Sequence, residues 1–244
     1  MINYEKNLKQ IFIFSDFDAT ISQNDLTDVL FEKYGDFRGN LAKLINGTIN
    51  IFEYWKEFIR SLPTNFFDNE LQEFIKEEQI DPYFLQFYIF CKNENLPISI
   101  VTDNFDKITE PYLNYNKIED FKLYSNKIKF EANIAIPIFP FASEGCEECM
   151  SAVCKRNVII SNVPDEAIVV YIGDGFSDHC AANYSDIIFA KKSLAKYCSE
   201  NRIPHYNFST FFDIKMIFEK LLKENKIRPR YQAHLNRKRA FEAE

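Results

Sequence analysis

The chain has 244 residues, 46% hydrophobic and 27% charged, with a net charge of −7. That apolar content is enough to offset chain entropy, which excludes a disordered polypeptide, and the length allows one large domain or one domain carrying a smaller one. The acidic balance argues against nucleic acid as the main partner, because phosphate backbones are met by clustered Lys and Arg. No apolar run reaches the roughly 18 residues that span a bilayer, so no membrane association is expected. The start Met1-Ile2-Asn3-Tyr4-Glu5-Lys6 lacks the apolar core of a signal peptide, and the six Cys do not form the framework of a small secreted chain. A cytoplasmic location with reduced thiols is expected.

In chain order, Gln10–Ser15 is a short apolar run that ends in acids and reads as a buried parallel strand. Residues 22–80 carry few strand signals but keep helical spacing, as at Leu26, Val29, Leu30 and Tyr34 and again at Phe52, Trp55 and Ile59. They are expected to form an inserted helical cap, with Leu85–Asn95 returning to the main sheet. A second strand, Pro97–Thr102, runs into Asp103-Asn104. Patchy alternation over 119–140 suggests a β-hairpin or irregular strands. A helix over Ala152–Ile160 leads to a third strand, Ala167–Ile172, ending in Gly173-Asp174-Gly175; a helix over Asp178–Tyr184 and a fourth strand, Asp186–Ala190, follow. Apolar residues at 211, 214, 217, 218, 221 and 222, with Thr210 and Asp213 as a start signal, predict a closing helix. Alternating strands and helices predict an α/β, doubly wound, mostly parallel sheet: a core of residues 1–21 and 81–225, a cap of 22–80 and a basic tail of 226–244.

Ligands of such sheets bind beyond the carboxyl ends of the strands. Residues two apart in an extended chain face one side, so Asp16 and Asp18 address one small volume. Carboxylates that close repel unless a cation or a shared proton lies between them. Asp174 and Asp178, one turn apart, bring the set to four. Four carboxylates with oxygen-only donors suit a hard cation, and Mg²⁺ fits best. Acids with Mg²⁺ imply a phosphate, which the Thr102 hydroxyl can hold and the Lys155 ammonium can neutralise.

Asp16-Phe17-Asp18-Ala19-Thr20, Thr102, Lys155 and Gly173-Asp174-Gly175-Phe176-Ser177-Asp178 resemble, in order, the four motifs of the haloacid dehalogenase superfamily. The inserted helices resemble the cap of its phosphoserine-phosphatase-like branch. Cys146-Glu147-Glu148-Cys149, Cys154-Lys155, Ile188-Phe189-Ala190-Lys191 and Cys198 resemble the methionine-salvage phosphatases acting on 2-hydroxy-3-keto-5-methylthiopentenyl-1-phosphate. The resemblance implies that Asp16 attacks phosphorus and that Asp18 protonates the leaving oxygen and then activates water. It also implies that Thr102 and Lys155 hold the phosphoryl oxygens, and that Asp16, the Asp18 backbone carbonyl and Asp174 bind Mg²⁺ with Asp178 nearby. The partner is then a small phosphorylated metabolite. Phosphoserine, another small phosphate, or a binding protein of the same fold with weak turnover are the alternatives. A homodimer is left open.

Two places depart from that pattern: Ala19 stands where Gly is usual, and Asp103-Asn104 where a pair of glycines is common, so a turn with positive φ is expected there. Asp103 and Asn104 are carried as substrate contacts, as is Asp25 at the start of the cap, although a helix N-terminal acid explains Asp25 more simply. Cys146, Cys149 and Cys154 read as reduced thiols beside the site; a zinc site would need a fourth ligand such as His179 or Cys180. His179 reads as a helix-surface residue. The tail carries six basic residues against Glu242 and Glu244 and reads as a frayed, solvated terminus.

Overall fold

A computed structural model of the chain describes residues 10–142, 149 and 151–242. Seven strands, β1 (Ile11–Ser15), β2 (Ile98–Phe105), β3 (Lys122–Glu131), β4 (Ile134–Ile138), β5 (Ile168–Gly173), β6 (Ile187–Ala190) and β7 (Tyr206–Asn207), form one sheet in the order β4-β3-β2-β1-β5-β6-β7. Every neighbouring pair is parallel except the β3–β4 hairpin. Alternate side chains of each central strand enter opposite layers. Ile168, Val170 and Ile172 pack on one face with the helices α5 (Phe84–Asn93) and α10 (Phe211–Lys223). Val169 and Tyr171 pack on the other with α7 (Lys155–Asn162) and α9 (Lys192–Glu200). A sheet covered on both faces needs such unbroken apolar strands. Thr210 and Asp213 form the capping box that starts α10.

The insertion after β1 holds the helices α1 (Leu26–Tyr34), α2 (Phe37–Ile45), α3 (Ile51–Ser61) and α4 (Leu71–Glu77), the last preceded by one wide turn over Phe66–Glu70. Phe31 packs edge-on against Tyr54 and Phe58 at its centre. An isolated antiparallel bridge between Ser22 and Ile80 joins its two ends, and the Asp81 N–H donates to the Ile21 carbonyl at 2.8 Å. Trp55 and Phe58 seat the cap on Phe105, which directly follows Asn104.

Several local expectations change. β2 runs on through Asp103-Asn104 to Phe105, and neither residue takes positive φ, so no turn forms there. The helix α6 (Asp106–Tyr115) starts only after that extension. Cys154 caps α7, so this helix begins at Lys155, and the Ala152–Cys154 segment is a buried loop instead of its first turn. The helix after β5 is a 3₁₀ turn, Phe176–Asp178, followed by α8 (His179–Asn183).

The tail is not a frayed terminus. It forms α11 (Tyr231–Glu242), docked on the core through Arg237, which is 3% exposed and pairs with Asp186 at 3.0 Å. Arg230 donates to the carbonyls of Ala182, Asn183 and Ser185. Among the described residues no helix is long and apolar enough to cross a membrane.

Candidate active site

The strand order reverses at β1, between β2 and β5, and a crevice opens there beyond the carboxyl ends. β1 is followed directly by Asp16, and its chain turns back through Ala19, held at φ 52°. The Ala19 N–H donates to the Ser22 hydroxyl and to the Asn24 carbonyl. That left-handed conformation explains why Gly suits this position: a Cβ strains it. β5 ends in Gly173, where a Cβ would lie 2.4 Å from an Asp178 carboxylate oxygen. Glycine is therefore required for Asp178 to fold back beneath the strand end.

Lys155, 1% exposed, lies at the centre. Its Nζ donates to Asp16 Oδ1 and Asp178 Oδ1, each at 2.5 Å, and to the Ser177 hydroxyl at 2.9 Å. Burial opposes its charge, but Asp16, Asp178 and Asp103 outweigh that and hold the ammonium above its ordinary range. Asp178 has both oxygens engaged: Oδ2 accepts the N–H groups of Asp174 and Gly175, and Oδ1 accepts Lys155 and the Tyr171 hydroxyl. It is a brace that sets the loop carrying Asp174. Asp174 in turn accepts the Thr20 hydroxyl at 3.2 Å and pairs with Lys192 at 3.0 Å.

Asp16, Asp174 and Asp178 offer oxygens that all lie within 4.8 Å of one another. Asp18 points elsewhere. Its Oδ1 accepts the Leu26 N–H and the Asn104 side-chain amide, and its Oδ2 accepts the Thr102 hydroxyl. Burial raises the carboxyls of Asp16 and Asp18 well above the usual range, Asp178 adding to it for Asp16 and Asp25 for Asp18. Asp174 is raised by burial and then by Asp178. The carboxylates of Asp16, Asp18, Asp103, Asp174 and Asp178 outnumber the two lysines in direct contact, Lys155 and Lys192. An excess of buried oxygen donors of that charge fits a hard divalent cation.

Asp103 does not add a bare charge. Its Oδ1 accepts the Val153 N–H at 2.7 Å and so ties the loop before Lys155; burial lifts its carboxyl to about 6. Asn104 orients Asp18. Asp25 caps α1, accepting the Asp28 N–H and the Thr27 hydroxyl, and lies on the crevice wall.

The crevice encloses about 300 Å³, with the acids as its floor and Leu41, Leu44, Ile51, Tyr54 and Trp55 of the cap as an apolar wall. A larger cavity of about 570 Å³ opens at the other end of the sheet, beside Pro97–Ser99 and Asp120, with no carboxylate cluster. Sequence reasoning missed Thr20, Ser177, Tyr171, Lys192 and the wall. Thr20 and Ser177 lie inside the motifs and could have been flagged. Tyr171 hides in strand alternation, and Lys192 and the wall have no local signal.

His179 lies half-buried at the start of α8 and stacks on Tyr197 at a centroid distance of 3.8 Å, with its Nε2 buried. Cys149, Cys154 and Cys180 lie together; Cys146 is outside the described residues.

A family model described as "Putative Phosphatase" matches residues 11–204. A 2-hydroxy-3-keto-5-methylthiopentenyl-1-phosphate phosphatase of Brevibacillus brevis is 25% identical, covering 88% of this chain and 98% of the relative. The enzyme of that name from Bacillus cereus is 29% identical, covering 87% and 98%. Pdp3-interacting factor 1 of Schizosaccharomyces pombe is also 29% identical, covering 87% and 96%. A solved phosphoserine phosphatase, bearing a phospho-aspartyl intermediate analogue, superposes with a TM-score of 0.61 at 15% identity, covering 87% of this chain and 99% of its own. With the motifs assembled at one crevice and 194 residues matched by one family model, the chain belongs to the "Putative Phosphatase" family and is a phosphoric monoester hydrolase of the haloacid dehalogenase type.

Proposed function

We propose that the protein hydrolyses a small phosphomonoester through a phosphorylated Asp16. The observation that carries this is the division of labour between the first two acids. Asp16 is gripped by Lys155 at the crevice floor, whereas Asp18 is turned away from that cluster and aimed by Leu26, Thr102 and Asn104. In the first half-reaction an Asp16 oxygen bonds to phosphorus as the ester P–O bond breaks, and Asp18 gives its proton to the departing alcohol. The raised Asp18 carboxyl is suited to carrying that proton. In the second half, Asp18 takes a proton from water, whose oxygen attacks the phosphorus and restores Asp16. Lys155 compensates charge on the phosphoryl oxygens and keeps Asp16 aligned. Mg²⁺, for which Asp16, the Asp18 carbonyl and Asp174 are the candidate ligands with Asp178 bracing them, would supply further charge neutralisation when bound.

The cap wall bears on the substrate. Its apolar side chains suit an uncharged, methylthio-bearing chain, while Asp25 and Asp28 lie beside it for hydroxyl groups. Burial and Asp25 lift Asp28 to about 8, so it keeps a proton to donate near neutrality. Among the described lining residues Lys155 is the one basic side chain, and two carboxylates already hold it. A phosphoserine carboxylate would therefore meet no uncommitted basic side chain among those lining residues. These features support 2-hydroxy-3-keto-5-methylthiopentenyl-1-phosphate, the compound in the names of two relatives, over phosphoserine.

The test is a panel of phosphorylated metabolites assayed with Mg²⁺ on wild type and Asp16→Asn. Loss of turnover on the order of 10⁴-fold is expected for the variant, the scale of removing a nucleophile, with unchanged circular dichroism. Retained turnover would exclude the covalent route.

A further inference from the structure

We propose that Cys149, Cys154 and Cys180 bind a zinc ion. The three described sulfurs come from different places in the chain, the loop before α7, the cap of α7 and the first turn of α8, yet all lie within 4.8 Å of one another. Cys154 and Cys180 are buried, and the side chains of Cys149 and Cys180 both hydrogen-bond to Cys154. A tetrahedral zinc with bonds of about 2.3 Å spaces its sulfurs about 3.8 Å apart, close to this grouping. Cys146 and Cys149 form a Cys-x-x-Cys, the spacing at which one short loop supplies two thiolates to a zinc. Cys146 itself lies outside the described residues.

The donor chemistry separates this cluster from the carboxylates. Thiolates select zinc, whereas an all-oxygen set suits magnesium. Metal binding would displace the thiol protons. Its place gives it a mechanical task. Cys154 immediately precedes Lys155, and Cys180 follows Asp178 by two residues, so one ion would bolt together the two backbone segments whose side chains meet at 2.5 Å in the crevice. The ion positions those segments and takes no part in phosphoryl transfer.

Metal content tests this independently of any phosphatase activity. The full-length protein, purified without chelator, should carry one zinc per chain by mass spectrometry. Asp16→Asn and the control Cys91→Ala, a buried cysteine elsewhere, should keep it, and Cys149→Ser and Cys180→Ser should lose most of it. Wild-type protein stripped of metal and titrated anaerobically with Co²⁺ should show sulfur-to-cobalt charge transfer and the intense visible bands of a tetrahedral thiolate site. This reading remains available where a cysteine variant fails to fold. Wild type that takes up neither zinc nor Co²⁺, or metal that survives in Cys149→Ser and Cys180→Ser but leaves in Asp16→Asn, would overturn the proposal.

Discussion

At the scale of single residues, two departures from the family motifs have different physical outcomes. Ala19 occupies a left-handed conformation that an L side chain enters at a cost of roughly 1–2 kcal/mol. Ala19→Gly relieves it against the extra chain entropy of glycine, so urea unfolding should show a gain of about 1 kcal/mol. Asp103-Asn104 needs no glycine, because β2 stays extended there and Asn104 has acquired the task of orienting Asp18. Asn104→Ala removes a bond that favours the charged carboxylate, so the Asp18 carboxyl rises further. Both limbs of the kcat–pH profile should then move to higher pH, with kcat down about tenfold. A profile that keeps its limbs would assign Asn104 to packing alone. The tie to Asp18 is not visible in a motif string: the residue types are legible, but the partners of Asp18 lie eight to 86 positions away.

Among the elements, α11 has the clearest energetic consequence. Arg237 reaches Asp186, the Tyr184 carbonyl and the Ala167 carbonyl in a buried corner, and Asp186 also accepts the N–H groups of Val169 and Arg230. Removing one member of a buried ion pair leaves an uncompensated charge, which typically costs 3–5 kcal/mol. Arg237→Met should therefore lower stability by about 3 kcal/mol in urea unfolding, and adding Asp186→Asn should recover part of the loss. A loss below about 0.5 kcal/mol, ordinary for surface substitutions, would mean that the helix is undocked in solution. The strands were legible because a parallel sheet buried on both faces demands unbroken apolar runs. The tail was not, since a run of basic residues reads alike whether it is solvated or inserted between carbonyls and a carboxylate.

Over the whole molecule, the sheet topology gathers the acids and the bridge at Ser22–Ile80 holds the cap above them. Asp16, Asp18 and Asp174 all have carboxyls raised in the folded state. Groups raised in this way contribute stability that is fully present below their unfolded values, near 3.9, and is lost as pH rises through the folded ones. The metal-free protein should thus weaken toward neutral and alkaline pH on their account. Mg²⁺ competes with those protons, so the rise in melting temperature on adding Mg²⁺ should be larger at pH 8 than at pH 5.5, and smaller in Asp16→Asn. An equal rise at both pH values would place the ion away from these carboxylates.

By itself, the sequence determined which strands are buried, that three of them end in acids or hydroxyls with Lys155 ahead of the third, and that a helical block interrupts the first crossover. Each of these is written in local periodicity or in the residue types at an element's end. Only the tertiary structure decided which acid braces the loop and which is turned away from the acidic cluster, that Asp103 ties a loop, that three cysteines meet, and that the basic end is a docked helix. Those outcomes depend on partners brought close by the strand order, and distance in space between remote segments leaves no mark on the chain's local pattern.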